Sequence, residues 1–235
     1  MTDPAASYLV TLAIGDYVGV RDRGPHGLPL TYWVLRNQQR FVSTLRRSPA
    51  ILRWLERRLG PYPFDRGGVV VVASDSAMET QGLVTMGSGR MKDRLEATSV
   101  LAHEYAHQWY GDTVTPDNWQ DLWLNEGFAM YLEIEYRIAK HMETRDAWLA
   151  NLQVFDQIVR DSDGPPGRYH RHEFGETSVY YCPALMLFVL GDRLGRSTVA
   201  QLVRDWPQEH LDSNVNRQTY VDWVNTRTGH DLTHF

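Results

Sequence analysis

Cysteine is nearly absent from this chain of 235 residues, which contains only Cys182. A single thiol excludes an intramolecular disulfide and a zinc site built from cysteines, so any bound metal needs histidine and carboxylate ligands. Long apolar runs are also absent, because no stretch approaches the roughly 18 residues that a transmembrane helix requires. The amino terminus lacks the basic region and the apolar core of a signal peptide, so we expect a cytoplasmic location.

Basic residues are not in excess either. Lysine and arginine together number 24 against 29 aspartates and glutamates, which gives a net charge of −5. Nucleic-acid-binding domains usually carry a basic face, so this balance predicts no nucleic-acid partner, and the missing apolar runs predict no membrane partner. A hydrophobic content of 43% and a charged content of 23% are ordinary for a folded domain with a packed core.

The hydrophobic pattern changes along the chain. Its first part mixes strands with helices: a strand or two is predicted over 8–20, two helical pieces over 31–59 with a break at Pro49, and a buried strand over 69–73. An edge strand with loops is predicted over 74–92. The remaining helices are predicted over 94–110, 119–141, 144–161, 178–194, 197–206 and 217–227. The expected fold class is therefore α+β, with a small β portion at the amino-terminal side and a mostly helical remainder.

The run HEYAHQWYGD at 103–112 carries the strongest chemical signal. It lies in a predicted helix, where residues four positions apart face the same side, so His103 and His107 can bind one metal ion. Glu104 then lies beside that ion, in the position of a general base for a water molecule. The run therefore predicts a zinc hydrolase, and it requires at least one further protein ligand.

Glu126 is the candidate for that ligand. It occurs in WLNEGFAMYLE on the following predicted helix, with 18 residues between it and His107. Two antiparallel helices joined by a short loop can bring the three side chains together. Two histidines, one glutamate and an open fourth position form the usual arrangement of a catalytic zinc site, whereas a structural site closes its fourth position with protein.

These two segments resemble the gluzincin zinc aminopeptidases of the aminopeptidase N and leukotriene hydrolase type, whose signature is HExxH, 18 residues and then glutamate. The matching positions, flanks included, are His103, Glu104, His107, Gln108, Trp109, Gly111, Asn125, Glu126, Gly127, Phe128 and Ala129. The resemblance extends over roughly residues 8–205. It implies a thermolysin-like catalytic domain, one zinc ion per chain and a peptide substrate with a free amino terminus.

A further segment, SAMETQGL at 76–83, resembles the GAMEN motif of the same family. Ala77, Met78 and Glu79 fit that motif, while Ser76 replaces its glycine and Thr80 its asparagine. The resemblance implies that Glu79 binds the free α-amino group of a peptide, with Ala77 and Met78 beside it in the substrate-binding site. A carboxylate near the metal would pair with an ammonium group and fix the scissile bond one residue in, which is aminopeptidase action.

The segment SVYYCPALMLFVLGDRLG at 178–195 resembles the part of the family in which a tyrosine precedes a Lys-Gly pair and an apolar helix. This alignment puts Tyr180 on the catalytic tyrosine, whose phenol donates a hydrogen bond to the oxyanion. Cys182 and Pro183 replace the Lys-Gly pair, so Tyr181 remains a rival for the role.

Two other sets of residues leave alternatives open. Glu133 follows Glu126 by seven positions on the same predicted helix face, and is either a partner for a ligand histidine or a surface charge. His170 and His172 have a spacing that suits a metal, although solvated loop residues are the simpler interpretation.

The resemblance begins abruptly. In the family a β-rich amino-terminal domain precedes the catalytic domain and helps to build the substrate pocket, and many members add a helical carboxy-terminal domain. We therefore predict that residues 1–30 are a remnant of a preceding β domain with its linker and that 31–235 form the catalytic domain, with truncation of its carboxy-terminal part as an alternative. Apolar surface left by the missing domain favours self-association or a partner that covers it.

The resemblance thus implies a zinc metallopeptidase that acts as an aminopeptidase. One alternative is a weakly active or inactive remnant that binds zinc or peptide. Another is a related hydrolase with endopeptidase or epoxide hydrolase activity. An intact Glu104 favours catalysis over the first alternative, and Glu79 favours the aminopeptidase over the endopeptidase.

Overall fold

The computed structural model describes residues 4–162, Gly164, Arg168 and 177–233. Its amino-terminal part is a five-stranded mixed sheet with the spatial order β1-β2-β3-β5-β4. The strands are β1 (Tyr17–Arg23), β2 (Pro29–Leu35), β3 (Gly67–Val72), β4 (Ala77–Met78) and β5 (Val84–Gly87). The outer pairs β1–β2 and β4–β5 are antiparallel, and β3 is parallel to both of its neighbours.

The helical part follows the sheet. Before it, the short helix α1 (Val42–Leu45) and the helix α2 (Ser48–Leu59) connect β2 to β3. The later helices are α3 (Arg94–Ala106), α4 (Trp123–Ala139), α5 (Arg145–Ser162), α6 (Tyr181–Leu194), α7 (Arg196–Glu209) and α8 (Arg217–Thr228). No helix of the described residues is long and apolar enough to cross a bilayer.

One hydrophobic core joins the two parts. Val69 and Val71 on β3 are fully buried, and they share a cluster with Leu55 on α2 and Leu101 on α3. Val70, which points to the opposite face, is only 4% exposed, so β3 is covered on both faces, as expected for a strand between two parallel neighbours. Helices α3 and α4 pack against each other, and α4 packs in turn against α6.

The sequence pattern is misleading at the amino-terminal side. The strand predicted over 8–20 begins only at Tyr17, because Ser7–Leu9 form a short 3₁₀ turn. The helix predicted from residue 31 is also wrong there, since β2 runs through the β-favouring sequence TYWVL. Pro49 does not break a helix but lies in the first turn of α2, where its missing N–H is tolerated. The domain boundary predicted at residue 30 falls inside β2 and stays a prediction.

A small second sheet fixes the connection between α3 and α4. Its strands β6 (Val114–Pro116) and β7 (Ser213–Val215) are parallel, although about a hundred positions separate them in the chain. Two further bonds extend this pairing: the Asp117 N–H donates to the Val215 carbonyl at 2.8 Å, and the Arg217 N–H donates to Asp121 at 3.0 Å.

Candidate active site

Two consecutive helices present the predicted ligands. Helix α3 begins at Asp93, whose carboxylate accepts the N–H groups of Leu95 and Glu96 at 2.8 and 2.9 Å. His103 lies in the last turn of this helix and His107 at its end. The helix predicted to reach residue 110 thus stops four residues earlier, because the chain turns there toward Gly111, which has a φ of 125° that favours glycine.

The three ligand candidates converge. Glu126, in the first turn of α4, places its Oε2 3.2 Å from His103 Nε2 and 3.1 Å from His107 Nε2. The two imidazole Nε2 atoms lie 3.1 Å apart. All three residues are buried, and their ligand atoms lie within 4.8 Å of one another. The structure therefore brings together the predicted set of two imidazole nitrogens and one carboxylate oxygen.

Each of the other ring nitrogens lies close to an acceptor. His107 Nδ1 lies 2.9 Å from the carbonyl oxygen of Tyr110, which is a hydrogen bond, whereas His103 Nδ1 lies 3.3 Å from Glu133 Oε2, an ion-pair contact without hydrogen-bond alignment. Acceptors on the Nδ1 side keep the proton there and leave Nε2 of each ring directed at the shared point. Glu133 is thus buried against a ligand histidine rather than placed as a surface charge, and Arg137 holds it at 3.3 Å.

The charged groups of this cluster shift one another's pKa values. Burial lowers the pKa of His103, but the neighbouring carboxylates of Glu126 and Glu133 outweigh burial and hold that pKa well above its usual value. Burial also lowers the pKa of His107, but the negative charges of Glu126 and Glu79 outweigh burial and raise this pKa to about 9. Burial raises the pKa of Glu126, yet the two histidines lower it far more. The buried cluster is therefore built to hold positive charge, and its donor set is one that zinc prefers.

Glu104 lies beside this set. It is 6% exposed, and burial raises its pKa to about 7, against the opposing effect of the neighbouring histidines. One oxygen of Glu104 and one of Glu79 lie within 4.8 Å of each other and of a His107 nitrogen. A carboxyl group that titrates near neutrality can exchange a proton with water at working pH, as a general base requires.

Glu79 follows the edge strand β4 and is also buried. Gln108, one residue beyond the second ligand histidine, holds this segment: its Nε2 donates to the Glu79 carbonyl at 3.0 Å, and its Oε1 accepts the Gly82 N–H at 2.8 Å. The Tyr62 hydroxyl donates to the same oxygen at 3.1 Å. Because Gln108 is itself fully buried, these bonds fix the position of Glu79 relative to α3.

The two tyrosines have different surroundings. Tyr180 immediately precedes α6, and its ring centroid lies 6.0 Å from that of His103. Tyr180 lines the same cleft as Glu126 and Glu104, and burial together with the charges of these two carboxylates raises its pKa. The Tyr181 ring instead stacks on Phe155, with a centroid distance of 5.2 Å. The geometry therefore favours Tyr180 as the tyrosine of the site.

Close packing of α4 against α6 sets the position of Tyr180. Gly127 follows the ligand Glu126, and a Cβ at this glycine would lie 2.4 Å from Cγ of Pro183. This proline is one of the two residues that replace the Lys-Gly pair. It fills the space above Gly127, so the departure from the family pattern is accommodated by a glycine on the facing helix.

A cleft of about 770 Å³ contains all of these groups. Its lining includes Ala77, Met78 and Glu79 together with the three ligand residues, Glu104, Tyr180 and Tyr181. Tyr8 also lines this cleft, although no periodicity or spacing in the sequence connects it to the site. His170 and His172 lie outside the described residues.

Comparisons with known proteins identify the family and the fold of this chain. The model of the Peptidase family M1 domain matches residues 44–235. Aminopeptidase N from Canis lupus familiaris is 31% identical over 171 residues, which cover 66% of this chain and 17% of that protein. Glutamyl aminopeptidase from Rattus norvegicus is 32% identical over 169 residues, which cover 66% of this chain and 17% of that protein. The chain thus spans less than a fifth of the length of these curated relatives.

A solved structure gives the same result for the fold. A mutant of a two-domain M1 zinc metallopeptidase bound to L-arginine superimposes with a TM-score of 0.83 at 25% sequence identity. The superposition covers 97% of this chain and 52% of the other. The chain belongs to peptidase family M1, and it has the fold of that family's catalytic domain.

Proposed function

We propose that this chain is the catalytic core of a zinc-dependent aminopeptidase that removes amino-terminal residues from peptides. One observation carries the proposal: a buried His103, His107 and Glu126 set lies directly beside the carboxylates of Glu104 and Glu79. The names of the relatives support it, since aminopeptidase N and glutamyl aminopeptidase are aminopeptidases. Bound by the three ligands, zinc would supply Lewis acidity toward the scissile carbonyl and a lowered pKa for water.

Glu104, Tyr180 and Glu79 then have separate roles in the reaction. Glu104 takes a proton from the attacking water and passes it to the leaving amine, which its pKa near 7 allows in both directions. Tyr180 keeps its proton and donates a hydrogen bond to the carbonyl oxygen that becomes negatively charged. Glu79 pairs with the substrate's α-ammonium group and so places the first peptide bond, rather than a later one, at the metal.

Replacing the general base tests catalysis apart from metal binding. In Glu104→Gln the amide can neither accept nor return the proton, so turnover of aminoacyl reporter substrates is expected to fall about a thousandfold. Zinc content, measured by elemental analysis, is expected to stay unchanged because Glu104 is not a ligand.

Glu209→Gln is the matched control, since Glu209 accepts a bond from Trp223 at 2.9 Å outside the cleft. Full hydrolysis by Glu104→Gln would contradict the assignment. A wild-type chain that binds zinc without any turnover would instead support the inactive remnant.

Blocked substrates distinguish the aminopeptidase from an endopeptidase. Acetylation removes the positive charge that Glu79 is proposed to bind, so an acetylated peptide should resist cleavage while its free-amine counterpart is shortened from the amino terminus. Mass spectrometry of the products reads out both. Cleavage of the acetylated peptide at an internal bond would favour the endopeptidase.

We also propose that part of the surface is covered in a self-associated form. Three large side chains of the amino-terminal segment, Val10, Leu12 and Ile14, are 70, 83 and 85% exposed. Such a run of apolar side chains rarely faces water alone. The chain also covers only 52% of the two-domain structure that it resembles.

A further inference from the structure

The free edge of β4 gives the cleft a direction. This strand is the last one in the sheet order and pairs with β5, so its other side offers backbone groups to an extended peptide. Residues 76–78 line the cleft ahead of Glu79, whereas Thr80 and Gln81 behind it are buried and do not line it. A peptide whose α-ammonium group meets Glu79 therefore runs back along β4 toward Ser76, antiparallel to the strand.

Arg90 lies at the far end of this path. It lines the same cleft as Glu79, and its Nε donates to the carbonyl oxygen of Asp75 at 2.8 Å. The loop that carries it is also tied to the beginning of β4, because the Gly87 N–H donates to the Ser76 carbonyl at 2.7 Å. Ser76 and Glu79 are three positions apart, which is about 10 Å in an extended chain.

Helix α3 gives the same order on the other side of the cleft. Near the end of this helix, Glu104 and His107 each place one ligand atom within 4.8 Å of a Glu79 oxygen. Glu96, in the first turn of the helix, also lines the cleft, and Arg90 comes four residues before the helix begins. Both walls therefore place Glu79 and Arg90 toward opposite ends of the cleft.

Arg90 is the arginine of this cleft that has donors to spare. Arg137, which also lines it, already pairs with Glu96, Glu133 and Glu143 at 3.3, 3.3 and 2.8 Å. Within the described part of the chain, Arg90 forms no ion pair, and its one bond to a carbonyl oxygen uses Nε and leaves both NH₂ groups. A guanidinium group with free N–H donors matches the geometry of a carboxylate.

We propose that Arg90 binds a carboxylate group of the peptide substrate beyond the scissile bond, about 10 Å from the α-ammonium group. The inference rests on the proposed function, because Glu79 defines the ammonium end of the cleft. The terminal carboxylate of an extended tripeptide reaches that distance, and so does an acidic side chain at the third position of a longer peptide. The favoured substrates are therefore short peptides, or peptides that are acidic near the amino terminus.

Paired ligands test this contact without turnover. In the zinc-loaded Glu104→Gln chain, which keeps the three metal ligands, calorimetry measures the dissociation constants of Leu-Gly-Gly and of its carboxyl-terminal amide. The free acid is expected to bind about tenfold more tightly, the effect of a hydrogen bond to a charged group. Adding Arg90→Met should bring the two constants close to equality. Arg90→Lys, which keeps the charge without the paired donors, should retain part of the difference.

A second pair of ligands distinguishes the two sources of the carboxylate. Leu-Gly-Asp-Gly-Gly-amide and its asparagine counterpart differ only in the side chain at the third position. A preference for the free acid of the tripeptide that Arg90→Met abolishes assigns Arg90 to the chain end. A preference for the aspartate peptide that the same variant abolishes assigns it to acidic side chains.

Arg46→Met is the matched control, because Arg46 is exposed outside the cleft, and it should keep the differences in both pairs. If Arg90 only fastens its loop to Asp75, Arg90→Met weakens the two members of each pair alike, and unchanged ratios in both pairs overturn the proposal. Turnover by the wild type tests the proposed function separately. A zinc-loaded wild-type chain that releases leucine from none of these peptides contradicts that function, whereas failure of the Arg90 role appears only in the binding ratios.

Discussion

At the scale of single residues, the site depends on a few buried polar side chains that hold one another. The ligand set could be predicted from sequence because the helical period alone places His103 and His107 on one face. Glu79 and Tyr180 could be predicted only through resemblance, since nothing local connects them to the metal. The position of Tyr8 in the cleft could not be predicted, because its hydrogen bond with Asn125 joins residues 117 positions apart.

The structure decides between the two roles that the sequence left open for Glu133, because this carboxylate lies beside the ligand His103. Removing it in Glu133→Ala leaves His103 Nδ1 without the carboxylate now 3.3 Å away, so the ring is less well oriented and a weaker base. Zinc affinity is expected to fall about 10- to 100-fold, measured by competition with a chromophoric chelator.

Glu143→Ala is the control for that substitution. Glu143 accepts from Arg137 at 2.8 Å as Glu133 does at 3.3 Å, but it is not paired with a ligand histidine. Zinc affinity should therefore stay near the wild-type value. Equal losses in the two variants would show that the arginine network, rather than the contact with His103, matters.

At the scale of helices and strands, long periodic segments were predictable and short irregular ones were not. Helices α5 and α8 lie within a residue of their predicted limits. In α5 an apolar stripe repeats over several turns, whereas α8 is bounded by Asn216, whose side chain accepts the Thr219 N–H, and by Gly229. Residues 31–35 form a strand instead of a helix because pairing with β1 and β3 decides their conformation. The β-favouring run TYWVL is the local sign of that strand, whereas its pairing partners could not be predicted from a local pattern.

The contact between α4 and α6 predicts an unequal effect of two glycine substitutions. In Gly127→Ala the new Cβ would lie 2.4 Å from Pro183, so α6 must shift and carry Tyr180 with it. We expect a loss of about 1–3 kcal/mol in the free energy of unfolding, measured with urea, together with reduced turnover.

For Gly191→Ala, a substitution within α6 itself, we expect the opposite change in the free energy of unfolding. A Cβ there would lie 3.8 Å from Arg196, an ordinary contact, and alanine favours helix over glycine. Its free energy of unfolding is expected to rise by up to about 1 kcal/mol. A Gly127→Ala variant as stable as the wild type would show that the helices do not pack as closely as described.

At the scale of the whole molecule, the fold class was predictable because the pattern changes from mixed to helical along the chain. The sheet order and the parallel pairing of β2 with β3 were not, since they join segments separated by α1 and α2. The cleft lies where the sheet edge meets the helices, so its walls come from distant parts of the sequence.

Self-association through the amino-terminal segment can be measured directly. Sedimentation velocity at rising protein concentration is expected to show a dimer, and Leu12→Asp with Ile14→Asp should return the monomer, because charge on this surface opposes burial. Leu211→Asp, at a leucine 53% exposed elsewhere, should leave the dimer intact. A wild-type chain that stays monomeric throughout would contradict the proposal.

The pairing of β6 with β7 also has a consequence for biosynthesis. Both ligand-bearing helices, and the loop between them, leave the ribosome well before Ser213–Val215 has been made. Until then β6 lacks its partner strand, and Asp121 lacks the Arg217 N–H that it accepts. The loop between His107 and Glu126 therefore acquires its second strand only after residues 213–217 have been synthesised, and we expect the geometry of the metal centre to be completed no earlier than that.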